Sequence, residues 1–183
     1  MAFKDNTLEF SDDKIWDSVF AIEVMMDWEA PIMEKSAEFI CHNNGDILEI
    51  GFGMGVCADY IQAQGVNSHT IIELHPQILE KLNAWAVGKS NVTVIEGDWA
   101  NLSLTDTYDG IFLDTFGTST DGFKDFALDK IKSSGKITYF NSRSEEYNPH
   151  NFDSISYEQV SVTPEDNYYT SIQSNYYMPK IEI

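Results

Sequence analysis

The loop at residues 51–55 has the sequence GFGMG and is suited to hold a small ligand. It follows the short apolar segment 46–50 and precedes a helical pattern. Glycine permits a positive φ and a close approach of a ligand to the backbone, and a strand, a loop and a helix in this order form the context in which such loops bind nucleotides. Glu73 comes about 20 residues later, at the predicted end of the next strand, where nucleotide-binding α/β proteins place an acid for the ribose hydroxyls.

The spacing of the glycines separates two kinds of ligand. A dinucleotide-binding loop, G-x-G-x-x-G, needs a glycine at position 56, which is Val56, whereas this chain has Gly55. The resulting G-x-G-x-G pattern resembles motif I of class I methyltransferases, in which the loop lies against the methionine part of the cofactor. The resemblance implies that S-adenosylmethionine is the cofactor, that S-adenosylhomocysteine is the product, and that no metal takes part.

A second resemblance is more specific. It is carried by six segments: 24–33 (VMMDWEAPIM), 48–54 (LEIGFGM), 71–73 (IIE), 108–116 (YDGIFLDTF), 138–141 (TYFN) and 175–181 (NYYMPKI). These segments resemble the motifs of guanidinoacetate N-methyltransferases, and fungal arginine δ-N-methyltransferases share much of the same core. With one gap the resemblance covers roughly residues 19–183, and the W-E-x-P and Y-D-G-I-x-x-D-T patterns are not general to methyltransferases.

This resemblance implies that two acids, Glu29 and Asp114, bind the guanidinium group of the methyl acceptor. A guanidinium has a pKa of about 12.5 or higher and is a poor nucleophile while protonated. Carboxylates match its planar fork, can direct one nitrogen at the methyl group and can accept a proton as the bond forms. We expect Asp114 to accept the proton and Glu29 to assist it. Alternatively, Glu29 favours a helix start through the helix dipole, and Asp114 binds only the cofactor amino group.

The resemblance and the strand ends give the other candidate contacts. Those expected for the cofactor are Met25, Met33, Glu49, Gly51, Phe52, Gly53, Met54, Gly55, Glu73, Asp98, Trp99 and Asp114. Those expected for the acceptor are Glu29, Asp114, Asn141, Ser142 and Arg143. Trp99 either stacks on adenine or packs in the core, and Arg143 either anchors an acceptor carboxylate or is solvated. Trp16 or Phe20 covers the cofactor, or packs in the core. The region after residue 141 is much shorter than in the family.

The elements that position these residues form an α/β pattern. Strands are predicted at 46–50, 70–74, 92–95, 108–113 and 136–140, with helices between them. This order indicates a Rossmann-like class I methyltransferase fold with a mainly parallel sheet of seven strands and helices on both faces. Residues 157–163, a turn at 164–167 and the final β-prone stretch predict an antiparallel C-terminal hairpin at the sheet edge. We expect one domain, 1–183, with a helical lid and acceptor segment at 1–45 and the core at 46–183.

Composition limits the classes of function. The chain has 183 residues, of which 11 are basic and 30 acidic, giving a net charge of −19. Such a field repels nucleic acid and anionic lipid, and favours a cationic substrate. The absence of a signal-like N-terminus and of a zinc-type Cys or His spacing predicts a cytoplasmic protein without a metal. We expect a monomer or homodimer that acts on a small guanidino compound. The alternatives are another small amine or hydroxy acceptor, and a cofactor-binding protein without turnover.

Overall fold

A seven-stranded sheet forms the centre of the molecule. The computed structural model describes residues 2–141, 143, 145–164 and 174–183. The sheet order is β6-β5-β4-β7-β8-β10-β9, in which β10 runs antiparallel to both of its neighbours and the five strands from β6 to β8 are parallel. The strands are β4 (Asp46–Ile50), β5 (Ser68–Glu73), β6 (Val92–Glu96), β7 (Tyr108–Leu113), β8 (Ile131–Tyr139), β9 (Ser156–Ser161) and β10 (Asn175–Glu182).

Helices cover both faces of this sheet. They are α1 (Ala30–Ile40), α2 (Val56–Ala63), α3 (Pro76–Ala86) and α4 (Phe123–Lys130). Side chains alternate between the two faces of a strand, so that Ile47 packs in the hydrophobic cluster of α1, α2 and α3, whereas Leu48 packs in that of α4. The predicted mainly parallel α/β sheet with an antiparallel C-terminal edge is therefore confirmed. No helix among the described residues is long and apolar enough to cross a bilayer.

The N-terminal segment differs from the expectation of a helical segment over residues 1–45. Residues before α1 form a second, three-stranded antiparallel sheet, with β1 (Leu8–Phe10), β2 (Lys14–Asp17) and β3 (Ile22–Met26) in that order. Only the helix predicted to begin near Pro31 is present, with proline in its first turn.

The side chain of Asp17 explains why the apolar pattern at 15–22 does not become a helix. Its Oδ1 accepts hydrogen bonds from the backbone N–H groups of Val19, at 2.8 Å, and Phe20, at 3.0 Å. Such a bond offers the backbone a turn in place of a helix. The turn continues through Ala21, which has a φ of 55°. The prediction failed because apolar residues at this spacing also suit a short twisted hairpin.

The C-terminal part agrees with the expected hairpin. β9 and β10 pair antiparallel from Ser156↔Lys180 to Ser161↔Asn175, and β10 inserts between β9 and β8. The predicted turn at 164–167 lies outside the described residues after position 164. The parallel strands β4, β5, β6 and β7 all end at one edge of the sheet, and ligands of open α/β sheets bind at that edge.

Candidate active site

A cleft of about 600 Å³ opens at the carboxyl ends of the parallel strands. Clefts at this edge of an open α/β sheet are where such proteins bind small ligands. The ends of β4 to β7 form its floor, and the N-terminal segment contributes Phe3, Val24 and Met25 to its wall. Of the residues predicted to contact a cofactor, seven line it: Met25, Gly51, Gly53, Glu73, Asp98, Trp99 and Asp114.

The glycine loop lies so close to its neighbours that side chains at Gly51 or Gly53 would collide with them. Gly51 has a φ of 94°, and a Cβ there would lie 1.8 Å from the backbone oxygen of Asp114. Gly53 has a φ of 54°, and a Cβ there would lie 2.4 Å from the sulfur of Met25. Both positions favour glycine, because an L side chain is strained at these φ values; the backbone also blocks a Cβ at Gly51, whereas at Gly53 the Met25 side chain would have to move. The backbone approaches the cleft closely at this point.

Glu73 fixes the loop to the end of β5. Its Oε2 accepts the N–H of Phe52 at 3.0 Å, and its Oε1 accepts the N–H groups of Leu74 and His75, each at 2.7 Å. A carboxylate offers about four acceptor positions, and three are used here. The remaining position suits a hydroxyl of a ligand in the cleft.

The wall after β6 contains Asp98 and Trp99. The Asp98 side chain accepts the N–H of Ala100, at 3.1 Å, and so holds the turn that follows β6. Trp99 lines the cleft while it also packs edge-on against Phe123 and Phe126. Its side chain is 3% exposed and its indole N–H has no hydrogen-bond partner among the described residues. The structure thus places Trp99 at the boundary between the core and the cleft.

Three contributors to the cleft were missed by the sequence analysis. Thr115 and Thr118 line it, and their hydroxyl oxygens are buried without a partner within the described part of the chain. Phe3 packs on Phe116, with ring centres 5.0 Å apart, and on His75, at 4.9 Å. Thr115 follows Asp114 directly in the D-T motif, which was a usable signal. No sequence signal pointed to Phe3, because its position depends on the N-terminal sheet.

Some expected cofactor contacts do not reach the cleft wall. Glu49 is 1% exposed and points under α2, where its Oε2 is hydrogen-bonded to Nε2 of His69 at 2.8 Å. Met33 is fully buried in the core. The expectation is corrected for both side chains, because strand and helix periodicity turns them toward the core.

Phe52, Met54 and Gly55 of the glycine loop also lie outside the lining of the cleft. The ring of Phe52 packs on Trp85 and lies against Gly55, and the N–H of Met54 donates to the sulfur of Met25 at 3.1 Å. Their part in this structure is to shape the loop that Gly51 and Gly53 present.

The residues expected to cover the cofactor are also different. Trp16 and Phe20 are absent from the lining of the cleft, and Phe20 is 49% exposed at the tip of the β2–β3 turn. Phe3, Val24 and Met25 take the covering position instead. The N-terminal segment thus closes one side of the site, as a sheet and not as a helix.

Two acids, Glu29 and Asp114, interact electrostatically near the cleft; Asp114 lines the cleft, whereas Glu29 is absent from its lining. Glu29 precedes α1 and is 4% exposed, and its Oε1 accepts the N–H of Met26, at 3.1 Å. Asp114 follows β7, and its own N–H donates to the oxygen of Ile50 at 2.8 Å. Burial, and then the charge of Asp114, hold the pKa of Glu29 well above its ordinary value. Glu29 also stands at a helix start, as the other interpretation expects: it is the N-cap residue of α1, and its bond to Met26 closes a capping box around the 3-10 turn Asp27–Glu29 that leads into α1.

Asp114 has a similarly unfavourable environment for its charge. Burial, followed by the charges of Glu49 and Glu73, raises the pKa of Asp114 to about 7. Two neighbouring acids in a poorly solvated site are destabilising unless a cation or a proton neutralises them. The arrangement is therefore suited to bind a cation and to hold a proton near neutral pH, and such shifted pKa values are typical of functional sites.

A second pocket, of about 680 Å³, adjoins the cleft and shares Asp114 and Thr115 with it. We call it the acceptor pocket. Its other described walls come from Leu113, Thr120, Phe140, Asn141, Tyr147, Pro149 and His150. Asn141 lines the acceptor pocket, but its side-chain N–H groups already have partners. Its Nδ2 donates to the backbone oxygens of Glu145, at 2.9 Å, and Tyr177, at 3.0 Å. Ser142 lies outside the described residues.

Arg143 lies outside the lining of the acceptor pocket. Its guanidinium stacks on the ring of Tyr147 at 4.0 Å, and one of its nitrogens is 3.6 Å from Glu145. Its side chain is half-exposed. Within the described ranges, no group of three or more His, Cys, Asp or Glu side chains is arranged to hold a metal ion.

Comparison with known proteins gives a family. The profile of the family described as guanidinoacetate N-methyltransferase matches residues 1–147. Protein arginine N-methyltransferase 2 of Saccharomyces cerevisiae is 36% identical over 150 residues, which are 73% of this chain and 36% of that protein. The same-named protein of Aspergillus oryzae is 34% identical over 151 residues, 76% of this chain and 36% of that one. The chain thus spans about a third of the length of these relatives.

Solved structures share the fold at low identity. The N-methyltransferase NodS from Bradyrhizobium japonicum, in complex with S-adenosylhomocysteine, has a TM-score of 0.65 at 12% identity and covers 85% of this chain and 87% of that one. Spermidine synthase from Thermotoga maritima has a TM-score of 0.68 at 14% identity, covering 96% of this chain and 72% of that one. These similarities show the fold alone, a class I Rossmann-like arrangement.

Proposed function

This chain belongs to the guanidinoacetate N-methyltransferase family, and we propose that it transfers a methyl group from S-adenosylmethionine to a guanidino nitrogen of a small molecule. One observation carries the assignment of the acceptor. Glu29 is buried and Asp114 is partly exposed, the two acids interact electrostatically, and no cationic side chain among the described residues lines the cleft or the acceptor pocket. A guanidinium supplies the missing charge and matches carboxylates with paired hydrogen bonds.

The cleft fits S-adenosylmethionine in three respects. The cradle at Gly51 and Gly53 disfavours side chains and suits the methionine part of the ligand. The free acceptor position of Glu73 suits a ribose hydroxyl. The partnerless hydroxyls of Thr115 and Thr118, and the indole N–H of Trp99, are further groups that a polar ligand would satisfy. When bound, S-adenosylmethionine supplies a methyl group on a positively charged sulfur, which leaves as a neutral thioether.

The acids perform two tasks in this proposal. Glu29 and Asp114 hold the guanidinium in one plane and direct one nitrogen at the methyl carbon. That nitrogen must lose one proton as its bond to the methyl group forms. Asp114, whose pKa is raised to about 7, accepts this proton and releases it to water after turnover. The product remains a guanidinium cation, so that charge and protons balance.

The test is the release of S-adenosylhomocysteine by the purified chain with S-adenosylmethionine and a panel of guanidino compounds. The panel contains guanidinoacetate, arginine, simple alkylguanidines, a simple amine and an arginine-containing peptide. We expect turnover with at least one small guanidino compound and losses of at least about a hundredfold in Asp114→Asn and Glu29→Gln.

Asp109→Asn is the matched control, because this aspartate is bonded to Lys132, away from the cleft. Turnover only with the amine or the peptide would contradict the small guanidino acceptor. Tight binding of S-adenosylhomocysteine without any turnover would instead indicate a cofactor-binding protein. Full activity in both acid variants would contradict the roles given to Glu29 and Asp114.

A further inference from the structure

We propose that Tyr176 is a positioning residue of the reaction, whose buried hydroxyl fixes the end of β8 beside Glu29 and Asp114. This inference rests on the proposed function, because it concerns the setting of the two acids that would hold the guanidinium. Tyr176 lies near the start of β10 and is fully buried. It lines neither the cleft nor the acceptor pocket, so it acts through the groups that it contacts.

The backbones of β8 and β10 pair only away from the site. Within the described residues, their register joins 136–137 to 181–182. Pro179 interrupts the pairing, because proline has no N–H to donate. Its carbonyl oxygen accepts a hydrogen bond from the side-chain hydroxyl of Thr138 instead, at 2.6 Å. From this point toward Asn141, side chains join the two strands.

The hydroxyl of Tyr176 makes the next connection between β10 and β8. It accepts the backbone N–H of Asn141 and donates to the backbone oxygen of Tyr139, at 3.3 Å. The ring of Tyr176 lies against that of Phe140, with ring centres 5.4 Å apart. The side chain thus fills the space between the strands and satisfies two backbone groups that would be costly to leave buried without partners.

These contacts lead to the acceptor pocket and to Asp114. Phe140 and Asn141 both line the pocket. The N–H of Phe140 donates to the backbone oxygen of Leu113, the residue before Asp114, at 2.8 Å. The end of β8 therefore supports Asp114 from one side, and Tyr176 holds that end in place.

Tyr176 also lies within electrostatic reach of both acids. Burial, and then the charges of Asp114 and Glu29, hold the pKa of its hydroxyl well above the ordinary value, although the hydrogen bond from Asn141 lowers it. The hydroxyl is therefore neutral, and it occupies the N–H of Asn141. A free N–H or a water molecule in its place would favour the charged form of the acids. The other titratable groups that interact with Asp114 or share the acceptor pocket with it are Glu49 of β4, Cys57 of α2, Glu73 of β5 and His150.

The experiment compares Tyr176→Phe with a matched control, Thr138→Val. Each variant removes one buried hydroxyl that joins β8 to β10. Thr138 lies level with Phe112, two residues before Asp114, and only the Tyr176 hydroxyl bonds to Asn141. The titration midpoint of the Asp114 carboxyl carbon is measured by ¹³C NMR without ligand. Affinity for S-adenosylhomocysteine is measured by calorimetry, and kcat with the panel compound that the unaltered protein methylates fastest.

In Tyr176→Phe we expect the midpoint of Asp114 to fall by at least about half a pH unit, because the freed N–H of Asn141 and entering water favour the carboxylate. The rise of kcat with pH should move to lower pH in the same sense. The maximum of kcat should fall at least about tenfold, since the acids lose their alignment and Asp114 becomes a weaker base. Affinity for S-adenosylhomocysteine should stay within about twofold, because the glycine loop is not contacted.

Thr138→Val should lower Tm but leave the midpoint of Asp114 and kcat unchanged. A merely structural role of Tyr176 predicts that the two variants behave alike, since both lose a buried hydrogen bond between the same strands.

The unaltered protein gives a second test that does not require a variant to fold. With ¹³C at the ζ position of tyrosine, the signal of Tyr176 should shift at the midpoint of Asp114. The signal of Tyr177, which points to the opposite face of β10, should not. A Tyr176 signal that ignores the titration of Asp114 would overturn the proposal.

An unchanged midpoint of Asp114 in folded Tyr176→Phe, or equal changes in Thr138→Val, would overturn the positioning role while methyl transfer stands. A lowered midpoint in Tyr176→Phe, when the unaltered protein methylates no guanidino compound, would overturn the proposed function while the effect of Tyr176 on the acids stands.

Discussion

Replacement of Asp114 by asparagine should stabilise the ligand-free protein while it abolishes turnover. An aspartate in an unfolded chain has a pKa of about 3.9, whereas burial and neighbouring acids raise the pKa of Asp114 to about 7 in the folded protein. The folded state thus holds a proton that the unfolded state has lost. Stability therefore falls as the pH rises from about 4 to about 8.

The size of the effect follows from the two pKa values. Their difference corresponds to about 4 kcal/mol, at about 1.4 kcal/mol for each pKa unit. Asp114 lines an open cleft and is partly exposed, so water relieves much of this cost. We expect Asp114→Asn to gain about 1 to 2 kcal/mol in free energy of unfolding at pH 8, or about 2 to 8 °C in Tm. Below about pH 4 the gain should vanish, because both states are then protonated.

The difference in free energy of unfolding between Asp114→Asn and the unaltered protein is measured at pH 5 and pH 8 by urea unfolding, followed by tryptophan fluorescence without cofactor. Asp109→Asn is the control, and its expected change in the free energy of unfolding has the opposite sign. Burial alone would raise the pKa of Asp109, but the N–H of Asp46 and the ammonium of Lys132 lower it. Its charge therefore stabilises the fold, and its removal should destabilise the protein at both pH values. An Asp114→Asn variant that is equal to or less stable than the unaltered protein at pH 8 would refute the reasoning.

Three further outcomes concern the cleft. Gly53→Ala should weaken binding of S-adenosylhomocysteine at least about tenfold in calorimetry, since its Cβ meets the sulfur of Met25; Gly65→Ala, which also has a positive φ but open space around it, should leave affinity unchanged. Glu73→Gln should weaken binding of S-adenosylhomocysteine by about tenfold, because it alters both the bond to the N–H of Phe52 and the oxygen expected to accept a ribose hydroxyl. Unchanged affinity would show that Glu73 does not contact the ligand. Glu49→Gln should leave the affinity for S-adenosylhomocysteine within about twofold of that of the unaltered protein, because the Glu49 side chain faces His69. A tenfold loss of affinity would show that Glu49 belongs to the ligand site.

The sheet and the glycine loop could be predicted because their signals are local. The strand at 46–50 and the helix that begins at Val56 have the bounds that the pattern predicted, to within a residue. The apolar run at 46–50 adjoins the glycine-rich loop directly, and the acid at the end of the next strand, Glu73, follows at the spacing expected for a nucleotide-binding α/β unit. The parallel direction of the strands then followed from the alternation of strands and helices.

The N-terminal sheet and much of the cleft wall could not be predicted in this way. The turn at Asp17 depends on a side-chain hydrogen bond that competes with helix formation. The position of Phe3 depends on its packing against His75 and Phe116, which are distant in sequence. The acceptor pocket likewise joins the end of β7 to Phe140, Tyr147 and His150, which lie well over 20 residues later in the sequence.

The position of the transferred methyl group tests the central claim most directly. S-Adenosylmethionine with a ¹³C-labelled methyl group is incubated with the protein and a guanidino compound labelled with ¹⁵N at its guanidino nitrogens, and the product is examined by NMR. We expect a one-bond ¹³C–¹⁵N coupling in the product, absent with Asp114→Asn. A label found on another nitrogen, on oxygen or only in unreacted S-adenosylmethionine, with the protein folded and S-adenosylhomocysteine bound, would contradict methyl transfer to a guanidino nitrogen.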